Sequence, residues 1–123
     1  MTFASLRGVH DDFAWFVVIG NGLVGVWALA AHFREPLRSR ALWWCTFVAE
    51  LAVFVQVSLG VGMVAGQDIE VPQFHMFYGF LSIIAVTIIY GYRHQLSDNR
   101  YALYGGGGLF IMGLGIRAMF LGR

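Results

Sequence analysis

The sequence contains no lysine, one cysteine and two prolines, and only 12% of its 123 residues are charged. Soluble domains carry about 25% charged residues, so an ordinary water-soluble fold is excluded. With a net charge of +1 and no basic run, the chain is not a nucleic-acid-binding protein, and its high apolar content rules out a disordered or collagen-like one. The lone Cys45 can close no disulfide within the chain and cannot hold a metal cluster by itself. No nucleophile is paired with a base in any known motif, and phosphate-binding loops and zinc-type clusters are missing too. The expectation therefore leans away from an enzyme.

What is present is apolar. Residues of the AVILMFWYC set make up 59% of the chain, gathered into four runs at 13–31, 41–66, 74–92 and 101–121. About 20 residues suffice for a helix to cross the ~30 Å hydrocarbon layer. A helix is the natural form there, because each backbone polar group must be satisfied within the span. Polar connections separate the runs: His32 to Arg40, interrupted by Pro36; Gln67 to Gln73, with Pro72; and Arg93 to Arg100. Short connections imply antiparallel neighbours. The expected fold is therefore an all-α integral membrane protein, a single domain over residues 1–123 arranged as an up-down-up-down bundle of four transmembrane helices. The fourth span tests this reading, since Gly105 to Gly108 cost about 1 kcal/mol each in helix propensity. In lipid, however, a broken backbone hydrogen bond costs more than a glycine does.

Arginine alone sets the orientation. One pair of connections holds Arg34, Arg38, Arg40, Arg93 and Arg100, while the other end has Arg7, Arg117 and Arg123 beside Asp11, Asp12, Asp68 and Glu70. The positive-inside bias predicts both termini outside the cytoplasm, in a multi-pass protein of the plasma or inner membrane. The first run is not read as a cleaved signal peptide despite the small residues Ala28-Leu29-Ala30, because Asp11 and Asp12 stand where a basic segment belongs. A weak internal repeat links the starts of the spans. Arg40-Ala41-Leu42 resembles Arg100-Tyr101-Ala102-Leu103, and His10 and His75 each precede aromatic residues.

Few residues could carry chemistry. His10 and His75 are expected at the same extracytoplasmic level, and at 100° per residue His10, Ala14, Val17, Asn21, Gly25, Ala28 and His32 share one stripe of the first helix. His75, Gly79, Ser82 and Val86 form a comparable stripe in the third. A b-type haem needs two facing imidazoles and missing side-chain volume for the porphyrin, which His10 with Ala14 and His75 with Gly79 can supply. His10 and His75 are thus the candidate iron ligands, with a quinone site as the related alternative. The plainer reading makes both histidines interfacial, among an aromatic belt. A second haem on His32 and His94 is disfavoured: His10 and His32 would be separated by about 33 Å of helix rise.

Three intramembrane polar residues remain. Glu50 lies near the middle of the second span, where an acid costs about 2.5–3.5 kcal/mol and should face the bundle interior. It is expected either to bond to Asn21 or to serve a proton or ion route. Arg117 is expected to pair with Asp11 or Asp12, or alternatively with a propionate or lipid headgroup. Gln56 is placed on another face, about 240° around the helix from Glu50. Sixteen glycines suggest close-packing faces, with Gly62 and Gly66, Gly106 and Gly113, and Gly108 and Gly115 as candidate pairs. Minimal loops and such faces favour a non-catalytic accessory or assembly subunit of a larger membrane complex, such as a respiratory one. Its expected partners are the lipid bilayer and other transmembrane helices of the same or another chain.

Overall fold

The structure, a computed structural model, describes residues 3–67 and 71–121. Its regular structure is helical: α1 (Phe3–Phe33), α2 (Arg40–Gln67), α3 (Gln73–Gly91) and α4 (Arg100–Leu121), with single 3-10 turns at Glu35–Leu37 and Ser97–Asn99 in two of the connections. All four helices are long and apolar enough to cross a membrane. Of the charges used to read orientation, Asp68, Glu70, Arg123 and the side chain of Arg7 lie outside the described residues.

Helix α1 begins well before the apolar run, at Phe3 rather than Phe13, because Asp11 and Asp12 are compatible with helix and do not interrupt its hydrogen bonds. The 3-10 turn at Glu35–Leu37 takes Pro36 in its first turn, where the missing N–H costs nothing. In α4 the four consecutive glycines remain helical.

Contacts between helices fix the topology. Along α1 and α2, His10 meets Gln56, Asn21 meets Ala49 and Ala28 packs with Leu42, so the two run antiparallel. Along α1 and α4, Val18 faces Gly115, Gly22 faces Met112 and Leu29 faces Gly105, again antiparallel. His75 meets Ala118, and Ile89 meets Gly107, which makes α3 antiparallel to α4. The result is an up-down-up-down bundle in which α1 and α3 are diagonal.

The tightest seam joins α1 to α4. A Cβ on Gly25 would lie 3.0 Å from the Gly105 carbonyl oxygen, and one on Gly108 would lie 2.8 Å from that of Asn21. The two backbones therefore touch directly, as small residues allow in membrane helix pairs. Gly115 belongs to the same face, since its Cβ would meet Val18 at 2.8 Å. By contrast, nothing lies within 4 Å of the Cβ positions of Gly62, Gly66, Gly106 and Gly113. Two of the three expected glycine pairs thus pack against nothing among the described residues.

At the opposite corner α2 and α3 barely touch. The main core, built on Val53, Val86, Ile89 and Ile111, fills the middle of the bundle, and Leu42 with Ala28, Ala31 and Tyr101 seals the arginine-rich end. Only 22–39% of each span is buried within the protein. Large apolar side chains such as Leu23, Trp44, Ile88 and Phe110 point outward, which water would penalise and hydrocarbon would not.

Candidate functional site

Where α2 and α3 separate, a cavity of about 320 Å³ opens towards the end that holds His10 and His75, with all four helices contributing to its lining. Both histidines line it, from diagonal helices, with ring centroids 6.0 Å apart and planes inclined at 60°. The pairing follows from the two stripes. His10, Ala14 and Val17 all face the cavity along α1, and His75, Gly79 and Ser82 do so along α3.

Each imidazole is held in a specific way. The Nδ1 of His75 lies 2.6 Å from the carbonyl oxygen of Ala118 on α4. A carbonyl can only accept, so Nδ1 carries the proton and, in the neutral ring, Nε2 keeps a lone pair. Metal-ligating histidines are oriented in this way by a carbonyl or carboxylate behind them. The Nε2 of His10 lies against Gly60, 3.1 Å from where a Cβ would be. Its Nδ1 is 3.9 Å from Asp11, whose side chain is half exposed.

Small residues ring the pair. Ala14, Gly60, Gly79, Gly115 and Ala118 all line the cavity, and Gly79, one turn beyond His75, has nothing within 4 Å of its Cβ position. The remainder of the lining is largely Val and Met, with Asp11, Gln56 and Ser82 as polar exceptions. Ser82 spends its hydroxyl on the Tyr78 carbonyl one turn back. Gln56 donates from Nε2 to the carbonyl oxygen of His10 at 2.7 Å, while its Oε1 is buried with no partner. Sequence reading missed both Gln56 and Gly60. Leu42, Thr46, Ala49, Val53, Gln56, Gly60 and Met63 share one face of α2, but the helix is apolar around nearly its whole circumference, so nothing in the sequence marks that face.

Two expected pairings are corrected. Asn21 is almost wholly buried but does not bond to Glu50; its Nδ2 donates to the carbonyl oxygens of Val17 at 2.9 Å and Ala49 at 3.1 Å. The stripe that buries Asn21 aims it at the α2 backbone, and Glu50 is turned about 100° away from Ala49. Glu50 is half-buried and outside the cavity lining. Arg117 makes no ion pair with Asp11 or Asp12 among the described residues. Although α4 adjoins α1, Arg117 is exposed on the side towards α3, its guanidinium carbon 6.0 Å from the Tyr78 ring centroid. His32 packs edge-on to Phe33 and His94 is exposed, both far along the chain from the cavity.

Fold and cavity together define a four-helix protein of membrane-crossing dimensions with a paired-imidazole cleft at one end. No protein family, no curated protein and no solved structure matches the chain.

Proposed function

We propose that the protein is a b-type haem protein of the plasma membrane, with His10 and His75 as the axial ligands. The observation that carries the reading is the meeting of two imidazoles from diagonal helices at 6.0 Å between centroids. Rings this close, both lining one cavity, can reach a single group bound between them. The lone pair on His75 Nε2 and the missing side-chain volume at Ala14 and Gly79 support the same reading. At about 320 Å³ the cavity is at the small end of ligand sites, so a porphyrin would fit only with the α2–α3 gap opened further. His10 and His75 would hold the group, which would supply a one-electron redox centre. Electron transfer within the membrane is the role that follows. Five arginines at the far end, 34, 38, 40, 93 and 100, support an orientation with both termini, and the imidazole pair, on the extracytoplasmic side.

An absorption spectrum tests this directly. After expression with ample haem and purification in mild detergent, the protein should show a Soret band, and His75→Ala should lose it while eluting at the same size. A wild-type protein that is folded, supplied with haem and still colourless would overturn the proposal.

A second reading, an accessory or assembly subunit of a larger membrane complex, is supported by Gly62, Gly66, Gly106 and Gly113, which stay exposed on the outer surface. Cross-linking in native membranes tests it. A strictly monomeric species with no co-purifying partner would remove it. Glu50 lies outside the cleft, and a proton route through it forms no part of either reading.

A further inference from the structure

At the end of the bundle away from the histidines, two guanidinium groups share one aromatic ring. The Arg38 carbon is 4.6 Å from the centroid of Tyr101, and that of Arg100 is 5.2 Å from the same centroid and 5.5 Å from that of Trp43. Trp43 and Tyr101 are themselves packed at 5.1 Å. Aromatic faces attract each cation, but they do not neutralise the repulsion between the two. Among the described residues neither arginine has a carboxylate within ion-pair distance.

The surroundings add to the positive potential. Helices α2 and α4 both begin at this end, at Arg40 and Arg100, and neither has an acidic residue in its first turn. The start of α2 contributes a partial positive charge and unpaired N–H groups, whereas α4 continues directly from the 3-10 turn Ser97–Asn99, which carries Asp98. Arg38 is also fixed in place, because its Nε donates to the Ala31 carbonyl at 2.8 Å and its Nη2 to that of His32 at 3.1 Å. A guanidinium fixed in place, a second one beside it and a nearby helix start are elements that bind phosphate.

We infer that this end of the bundle binds the phosphate of an anionic phospholipid between Arg38 and Arg100. A lipid rather than free phosphate fits because the same end carries exposed Phe33, Leu37 and Trp44, which give acyl chains a surface beside the headgroup. The site is independent of haem binding at His10 and His75.

The full chain, purified in a neutral detergent, is titrated with phosphatidylglycerol, phosphatidylcholine or inorganic phosphate while its thermal midpoint and its bound lipid by native mass spectrometry are followed. Phosphatidylglycerol should raise the midpoint and stay bound at one per chain; the other two should do neither. Arg100→Gln should weaken phosphatidylglycerol binding at least tenfold and remove the rise of midpoint that the lipid produces, and Arg34→Gln should leave binding as it is. Arg38→Gln also removes two bonds to α1, so Arg100→Gln is the decisive variant. Equal effects of the two lipids, or wild-type binding by Arg100→Gln, would overturn the site. Inorganic phosphate acting as strongly as phosphatidylglycerol would overturn its assignment to lipid.

Discussion

Gly60 matters because of what it leaves out. Its missing side chain accommodates the Nε2 edge of His10, and a Cβ there would approach that atom to 3.1 Å. Gly60→Leu should therefore displace the imidazole and cut haem content at least tenfold in a pyridine haemochrome assay, whereas Gly62→Leu, with nothing within 4 Å of its Cβ position, should load normally. Asn21 offers a test of stability alone. Its interhelical bond to Ala49 belongs to a class averaging about 0.6 kcal/mol, and Asn21→Ala adds a small cavity. The expected loss is about 1 kcal/mol by reversible unfolding in mixed micelles, with no change of spectrum. The histidine pair was legible in the sequence because two helical stripes of fixed period placed both residues at one height on inward faces. Gln56 was not, because α2 is apolar around nearly its whole circumference and no amphipathic contrast marked its inner face. The partner of Asn21 was also hidden: a backbone carbonyl is offered by every residue and carries no sequence signature.

Among the elements, α4 shows how far a glycine pattern can be read. Four successive glycines at 100° per residue cover the whole circumference, so the sequence announces close approach without saying on which side. Gly105 and Gly108 meet the α1 backbone and Gly107 meets Ile89, while Gly106 faces outward. The seven-residue spacing of Gly106 with Gly113 and of Gly108 with Gly115 looks equivalent in the sequence, yet only the second pair packs against α1. Alanine separates these roles. Gly108→Ala puts a methyl group 2.8 Å from the Asn21 carbonyl oxygen, and because that neighbour is backbone, the helices must part. Overpacking of this kind costs about 1–3 kcal/mol. Gly106→Ala meets open space and gains about 0.5–1 kcal/mol in helix propensity. Thermal unfolding in one detergent should therefore lower the midpoint for Gly108→Ala and leave it equal or higher for Gly106→Ala. A drop of the same size in both would show that the seam does not hold the bundle. The ends of α2, α3 and α4 were legible to within one residue, since polar connections bound the apolar runs. The start of α1 was not, because a helix continues past the membrane edge wherever backbone hydrogen bonds and compatible side chains allow it.

The whole molecule is polarised along its axis. Arg34, Arg38, Arg40, Arg93 and Arg100 gather at one end, and the imidazole pair with Asp11 and Asp12 at the other. Insertion responds to basic residues in short loops far more than to acidic ones, so this asymmetry acts on orientation even though the net charge is only +1. Both arginine-bearing connections lie at the same end of an antiparallel bundle, and their preferences therefore add. The single cysteine, Cys45, makes a clean test possible. In a Cys45→Ser background, Ser39→Cys and Ser97→Cys should resist a membrane-impermeant maleimide in intact cells and react after permeabilisation, while Gln73→Cys should react in both. The opposite pattern would put the histidine cleft on the cytoplasmic side, and electron transfer through it would then serve partners on that face.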